Sequence, residues 1–418
     1  MLLRLATPLY LLRLWRRGTS EAGYRFRLIE RLGVYPGPRP LAGAVWLHAV
    51  SLGETRAALP LVEALRAADP ELRLLLTHGT ATGRSAGRKL MHEVDGQVWL
   101  PYDTPGAARR FLRHFRPAVG ILMETELWPN LMREAEKAGV PMVMANARLS
   151  ERSAAKGRRL AALMRPAAAR LSLVLAQTVD DARRLRDGGA PRVVVSGNLK
   201  FDMTPPPALT ALGLQWRQGL RRPVVLAAST REGEEGPLLA AWLALPAPRP
   251  LLLLVPRHPQ RFDEVDALVR MQGLALMRRS EWHDAPPPEA EVVDVWLGDS
   301  MGEMPVYFAC ADVALLGGSF APLGGQNLIE AAACGCPVVM GPHTFNFAQA
   351  SKQALVAGAA VRVQDIRAGV ARAAALARDP DRNAWARRAL DFANAHRGAA
   401  TLMARQVLAL RRPEAVQR

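Results

Sequence analysis

Three short loops carry the carboxylates and the lysine that could do chemistry in this chain, and a fourth could hold a phosphate. Ser51-Leu52-Gly53-Glu54-Thr55 follows an apolar run and puts a carboxylate at the start of a helical pattern. Glu54 stands three residues after Ser51, the spacing of a capping box, so helix capping alone would also account for it. Glu124-Thr125-Glu126-Leu127-Trp128-Pro129-Asn130 sets two carboxylates on one loop. Like-charge repulsion there calls for a partner or a task for at least one of them. Ser196-Gly197-Asn198-Leu199-Lys200-Phe201-Asp202 carries a lysine that offsets negative charge if the loop borders a cleft, and is otherwise a solvated cation.

The fourth loop lies within 312–347. An apolar run at 313–316 leads into Gly317, Gly318, Gly324 and Gly325, then a helical pattern at 327–334 and a second apolar run at 337–340. Strand, glycine loop and helix N-terminus together make an anion site, because free N–H groups point outward and glycine lets a phosphate reach the backbone. Glu330, one turn into the helix, would repel a bare phosphate and suits the hydroxyls of a sugar. Phosphate and sugar together describe a nucleotide. An ordinary strand–helix–strand crossover with a capped helix is the alternative.

These loops need elements to position them. Apolar runs at 45–49, 72–77, 98–100, 119–123, 142–145, 173–176 and 193–196 alternate with helical patterns such as 56–68 and 105–115. A second series runs at 224–228, 251–255, 292–297, 313–316 and 338–340. Alternation of this kind predicts α/β architecture with parallel, doubly wound sheets, whose functional residues gather where strand C-termini enter loops. In the second series those loops hold Arg231 and Glu232, Pro256 and Arg257, and Met301, Gly302 and Glu303. Arg257 is placed to fork onto a phosphate. Residues 202–213, with three consecutive prolines, read as a stiff linker, and 285–291 as an exposed loop. The last long helical pattern, 383–410, is amphipathic enough to pack across both halves.

At 418 residues the chain suits two domains, and its 50% apolar and 22% charged residues suit a packed core. The net charge of +17 implies an anionic partner: nucleic acid, anionic lipid or a phosphorylated substrate. Cys310, Cys334 and Cys336 cannot make a disulfide framework or the usual zinc pairing, so they read as reduced and structural. Residues 1–17 are apolar but interrupted by Arg4, Arg13, Arg16 and Arg17. The run is too short to span a bilayer, and with Tyr10 and Trp15 it suits a membrane interface. Arg25, Arg27 and Arg31 would extend that basic flank. No G-x-G-x-x-G follows the first strand of either series, and no Walker-type loop or H-E-x-x-H occurs. Dinucleotide dehydrogenases, P-loop enzymes and zinc proteases are thereby disfavoured.

Seven motifs in order carry a closer likeness. V-S-L-G-E-T (50–55), M-E-T-E-L-W-P-N (123–130), A-N-A-R-L-S-x-R-S (145–153), G-N-L-K-F-D (197–202), V-P-R-H-P-x-R-F (255–262), G-D-S-M-G-E (298–303) and M-G-P-H-T-F-N-F (340–347) resemble those of the 3-deoxy-D-manno-octulosonic acid (Kdo) transferases. The resemblance spans essentially the whole chain. It implies a GT-B glycosyltransferase fold: two Rossmann-like domains facing a cleft, with a C-terminal helix crossing back. The expected parts are a membrane-interface helix at 1–18, an acceptor domain at 19–202, a linker at 203–213 and a donor domain at 214–418.

The resemblance further implies inverting transfer of Kdo from CMP-Kdo to the lipid A precursor (lipid IVA), in lipopolysaccharide biosynthesis on the cytoplasmic side of a Gram-negative inner membrane. Glu54 matches the general base, and Glu124 and Lys200 match positions that stabilise the transition state. Pro256, Arg257, Met301, Gly302, Glu303, Asn327, Leu328, Ile329 and Glu330 match the CMP-binding loops. His343, Asn346 and Phe347 help to shape the cleft. Neither metal nor cofactor is implied. The partners are CMP-Kdo, the lipid A precursor and anionic membrane lipids, not nucleic acid. One loop departs from the family's G-G-H-N-P-L-E: Gln326 stands for the histidine and Leu328 for the proline, so a role for that histidine does not carry over. Rival readings are a UDP-sugar epimerase or another GT-B transferase, and a basic RNA-binding protein.

Overall fold

The apolar runs become strands because both of their faces are covered. The computed structural model describes residues 2–19 and 21–411, with side chains from Tyr10 onward. Residues 1, 20 and 412–418, which fall within the expected domains, lie outside the described residues. The chain forms two compact units, Met1–Asp202 with Arg397–Arg418, and Met203–His396.

In the first unit, β1 (Val45–His48), β2 (Leu74–His78), β3 (Gly96–Trp99), β4 (Val119–Met123), β5 (Met142–Ala147), β6 (Leu173–Ala176) and β7 (Val193–Val195) form one parallel sheet in the order β3-β2-β1-β4-β5-β6-β7. Every residue of β1, β2, β4, β5 and β6 is buried, which is why these strands read as continuous apolar runs rather than alternations. One face packs on Leu61 and Leu65 of the helix Leu52–Ala68, the other on Phe111 and Leu112 of Pro105–Phe115 and Leu131 and Met132 of Pro129–Lys137.

The second unit repeats the plan. β8 (Val224–Thr230), β9 (Leu251–Pro256), β10 (Leu276–Arg278), β11 (Val295–Leu297), β12 (Val313–Leu316), β13 (Val338–Met340) and β14 (Ala360–Arg362) are parallel in the order β10-β11-β9-β8-β12-β13-β14. In each sheet the strand order reverses beside the first strand, between β1 and β4 and between β8 and β12. Ligands of open α/β sheets bind outside the strand C-termini at such a switch point.

Several expectations are corrected. The run 292–297 is a strand only at Val295–Leu297, and β10 and β14, three residues each, were not expected. Within 285–291, Ala290 is buried and its carbonyl accepts the Trp296 Nε1–H at 2.8 Å, so the segment is anchored rather than a free loop. The linker expected at 203–213 is helical from Pro207, because proline is favoured at the first turn of the helix Pro207–Gly219.

The pattern at 383–410 is two helices, Arg382–Ala395 and Ala399–Leu408, broken at Gly398 with φ +102°. The second helix belongs to the first unit, not to the donor half. Met403 and Val407 are fully buried in the first unit's core, and burial of side chains this size contributes about 1.5–3 kcal/mol each. Its N-terminus is capped by Asp202, whose carboxylate accepts the N–H groups of Gly398 (2.5 Å) and Ala400 (2.7 Å).

The N-terminal segment forms the helix Leu2–Arg17. Among the described residues, no helix is long and apolar enough to cross a membrane. Tyr10, Leu12 and Trp15 are about half exposed, at 51%, 45% and 53%. Arg25 stacks on the Trp15 ring at 4.5 Å and donates to the Trp15 carbonyl at 3.1 Å. Arg31 is not part of a basic surface. Its guanidinium is buried and donates to the carbonyls of His78, Gly79 and Leu100 at the ends of β2 and β3, over the Trp99 ring at 4.1 Å. Burial pulls its pKa down to about 10.

Candidate active site

Glu54 enters the helix Leu52–Ala68 directly after β1, and its first task is structural. Ser51 is the N-cap, its Oγ accepting the Glu54 N–H at 3.4 Å and donating to Glu54 Oε1 at 3.2 Å. Glu54 Oε2 accepts the Val50 N–H at 2.7 Å. The capping reading is therefore real, and it does not exhaust the residue. Burial raises the pKa of Glu54, and the charge of Glu124 raises it further, against the Val50 and Ser51 hydrogen bonds. A carboxylate raised in this way is a better proton acceptor when ionised.

Glu124 follows β4, the strand beside β1 at the switch point, so the two loops meet. It holds φ at +57°, the left-handed region that a non-glycine residue adopts only when its surroundings impose it. Glu126, two residues on, has its pKa pushed up to about 7, by burial first, then by Glu54 and Glu124. Lys200 lies on the turn Leu199–Asp202 after β7. Burial lowers its pKa, the Glu124 carboxylate opposes that, and Arg148 adds to it. Glu54, Glu124 and Lys200, expected from sequence as the catalytic group, thus share the C-terminal edge of one sheet, and Glu124 is coupled electrostatically to both of the others.

The residues that sequence reasoning did not single out are those that aim this group. Asn146, at a bulge ending β5 with φ +52°, accepts the Leu199 N–H on Oδ1 at 3.2 Å. Asn198 Oδ1 accepts the Lys200 N–H at 3.0 Å, and Asn198 Nδ2 donates to Gln177 Oε1 at 3.0 Å. The lysine loop is thus tied to the ends of β5 and β6. Asn146 stands in the motif at 145–153, and its unusual φ is the kind of feature that no spacing reveals. Glu126 stood in the acidic loop from the start. What spacing does not reveal is that its surroundings push its pKa up to about 7.

In the second unit the glycine loop already holds an anion, and it is internal. Glu234, buried on the turn after β8, accepts the Gly318 N–H on both oxygens, at 2.9 and 2.8 Å, and the Arg231 N–H at 2.9 Å. A phosphate at that point of the loop, as the sequence suggested, would compete with a buried carboxylate. Gly317 passes so close to the preceding loop that a side chain there would meet the Ser229 carbonyl at 2.3 Å.

The other expected donor-loop residues lie along the same edge. Asn327 caps the short helix Leu328–Ala333, its Oδ1 accepting the Ile329 N–H at 3.2 Å, and Glu330 is half-buried on its first turn. Leu328 and Ile329 are buried, so they can offer only backbone. Pro256 ends β9, and the exposed Arg257 is fixed through its N–H to the Thr230 carbonyl at 2.9 Å. Met301 is exposed and Gly302 has φ +88° with open space at its Cα. The Glu303 carboxylate is committed within the protein. Arg279 forks onto it at 2.9 and 3.0 Å, and Ser300 and Tyr307 donate to it. Arg279 itself lies 5.0 Å over the Trp216 ring. Glu303 therefore shapes the Met301–Gly302 turn and has little capacity left for a ligand. Among the described residues, no cluster of His, Cys, Asp and Glu could hold a metal ion.

Residues 26–203 match the family model described as 3-deoxy-D-manno-octulosonic-acid transferase (kdotransferase). The 3-deoxy-D-manno-octulosonic acid transferase of Bordetella pertussis is 49% identical over 413 residues, covering 95% of each chain. That of Haemophilus influenzae is 37% identical, over 83% of this chain and 82% of its own. Among solved structures, the UDP-GlcNAc 2-epimerase of Neisseria meningitidis matches with a TM-score of 0.57 at 15% identity, over 88% of this chain and 100% of that one. Anabaena HepE in complex with UDP matches with a TM-score of 0.57 at 14% identity, over 88% and 99%. At such identities the two structures show the fold alone, a GT-B-like pair of Rossmann-like units.

Proposed function

The chain belongs to the Kdo transferases, and from that premise we propose that it moves Kdo from CMP-Kdo onto lipid IVA, inverting the anomeric carbon, with Glu54 as general base. The observation that carries this reading is the coupled set at the first unit's switch point: a half-buried, pKa-raised glutamate beside a second carboxylate, with a desolvated lysine.

In this mechanism the acceptor's hydroxyl oxygen attacks the anomeric carbon of Kdo as Glu54 takes its proton. The carbon–oxygen bond to phosphate breaks, and CMP leaves with the electron pair. Glu124 faces the positive charge that develops on the sugar ring, and Lys200 offsets the sugar carboxylate or the departing phosphate. The donor nucleotide is held on the second unit by Arg257, by backbone at Met301–Gly302, and by Asn327 and Glu330. Glu234 keeps the glycine loop closed beneath it. No metal or cofactor enters the scheme, and the anionic lipid and sugar nucleotide account for a basic protein without nucleic acid.

Transfer itself tests the reading. With CMP-Kdo and tetraacylated lipid IVA, the product is expected to gain the mass of Kdo, and the number of additions gives the processivity. CMP should raise the melting temperature more than UDP or UMP at equal concentration. A larger shift with UDP, and no Kdo product, would favour the epimerase or another transferase.

We place the protein at the inner face of the cytoplasmic membrane through the helix Leu2–Arg17. Its exposed Tyr10, Leu12 and Trp15 beside Arg13 and Arg16 suit a lipid–water boundary. Deleting residues 1–17 is expected to lower recovery with anionic vesicles more than it lowers transfer to a soluble acceptor analogue. Equal vesicle recovery of the truncated and full-length proteins would remove this assignment.

A further inference from the structure

Beside the glycine loop of the second unit lies a cavity that none of these steps uses. It has a volume of about 390 Å³, and its lining includes His343, Thr344, Phe345, Lys352 and Arg362. His343, Thr344 and Phe345 follow β13, Arg362 ends β14, and Lys352 comes from the helix Ala348–Val356 between those strands. The cavity therefore opens at the same C-terminal edge of the sheet as the donor loops.

Its wall is built against the glycine loop. The His343 N–H donates to the Ser319 carbonyl and the Asn346 N–H to the Gly324 carbonyl, both at 3.0 Å, and Asn346 Nδ2 donates to the Leu323 carbonyl at 3.0 Å. Within it, Arg362 Nη2 donates to Thr344 Oγ1 at 2.8 Å, which holds the guanidinium and leaves its other N–H groups available. Neither Arg362 nor Lys352 is paired with a carboxylate among the described residues. The nearest acid in sequence to Arg362, Asp365, is occupied in capping the next helix through the Ala368 N–H at 2.8 Å. Two cations and a hydroxyl in one concavity, without a counter-charge, form a site that an oxyanion completes.

We propose that this cavity is an oxyanion subsite, in which Arg362 and Lys352 hold either the carboxylate of the donor sugar or a phosphate of the acceptor. The shared wall with the loop that leads to Asn327 and Glu330 favours the carboxylate of the donor sugar. The proposal rests on the Kdo transferase reading for the identity of those substrates.

The test is binding, measured apart from turnover, on the full chain with Lys352→Gln, Arg362→Gln and both together. In the double variant the Kd for CMP-Kdo should rise about tenfold or more, the loss of a charge-assisted contact, while the Kd for CMP, which lacks the carboxylate, moves less than about twofold. Arg362→Lys should recover part of the loss. If instead binding of the phosphorylated acceptor weakens, and binding of its dephosphorylated form does not, the site holds the acceptor's phosphate and the subsite stands. Unchanged binding of all these ligands by the folded double variant overturns it. So does an equal loss for CMP and CMP-Kdo, which would mark damage to the glycine-loop wall. A wild-type protein that binds CMP yet makes no Kdo product would refute the functional reading alone, since inorganic phosphate binding by wild type and double variant still decides the subsite.

Discussion

Replacing Glu54 by glutamine is expected to lower kcat for Kdo transfer by a factor of about 10²–10⁴, the usual contribution of a positioned general base. Glutamine is the informative substitution because of what Glu54 does for the backbone. Its side-chain oxygen can still accept the Val50 N–H that Glu54 Oε2 holds at 2.7 Å, so the loop and the helix start should survive. Only the basicity is lost. CMP affinity, a property of the second unit, should be unchanged, and the pair of measurements separates lost chemistry from lost structure.

The pH dependence follows the same logic. Glu54 works as a base only when ionised, and its raised pKa moves the acid limb of kcat above the range of an ordinary carboxylate. Glu54, Glu124 and Glu126 interact, so the limb belongs to the coupled set rather than to one residue. Glu124→Gln removes a charge that raises the other two, and the limb should move to lower pH. A Glu54→Gln enzyme that keeps kcat within about threefold of wild type would dismiss Glu54 as the base. Glu126, with a pKa near 7, would then be the better candidate.

The second large effect is on stability in acid. His48 and His78 are buried side by side under the loop that presents Glu54, and burial lowers their pKa values to about 3 and about 4. His78 places Nδ1 3.0 Å from the Ala49 carbonyl, and its Nε2 lies 3.0 Å from the Gln97 amide nitrogen, an arrangement that fits only the neutral ring. In the unfolded chain both rings titrate near the ordinary pKa of about 6.5. Below that pH the unfolded state binds more protons, so the stability these residues confer is complete above about 6.5 and is lost as pH falls toward their folded values.

At pH 5 the loss amounts to about 2 kcal/mol for each ring relative to neutral pH. Glu54 and Glu126, with raised pKa values, work in the opposite sense and partly offset it. The measurement is therefore a difference: urea unfolding of the first unit at pH 7.5 and 5.0, for wild type and for the His48→Gln, His78→Gln double variant. The variant should lose less stability on acidification than wild type, by about 3–4 kcal/mol. Equal losses would mean that the histidines are accessible to protons in the folded state.

Much of this molecule was legible before it was folded. β4, β6 and β12 begin and end where their apolar runs do, because a strand buried on both faces needs an unbroken apolar run that polar residues delimit. The carboxylate and lysine loops were legible because parallel strands send their C-termini to one edge. β10 and β14 were not, since three residues, two of them not fully buried in each, leave no run to read.

The sequence by itself determined the family, the doubly wound plan and the loops that carry Glu54, Glu124, Lys200, Arg257 and Glu330, since these depend on local pattern and ordered motifs. The tertiary structure alone decided which charges are spent inside the protein. Arg31 ties the ends of β2 and β3, Glu234 fills the glycine loop, and Glu303 is locked by Arg279. It also decided that the pKa of Glu126 is pushed up to about 7, and that the last helix returns to the first unit. Each of these turns on desolvation and on partners distant in the chain. A charged residue reads the same in sequence whether water or a buried carbonyl surrounds it, and only the fold sets the difference in free energy.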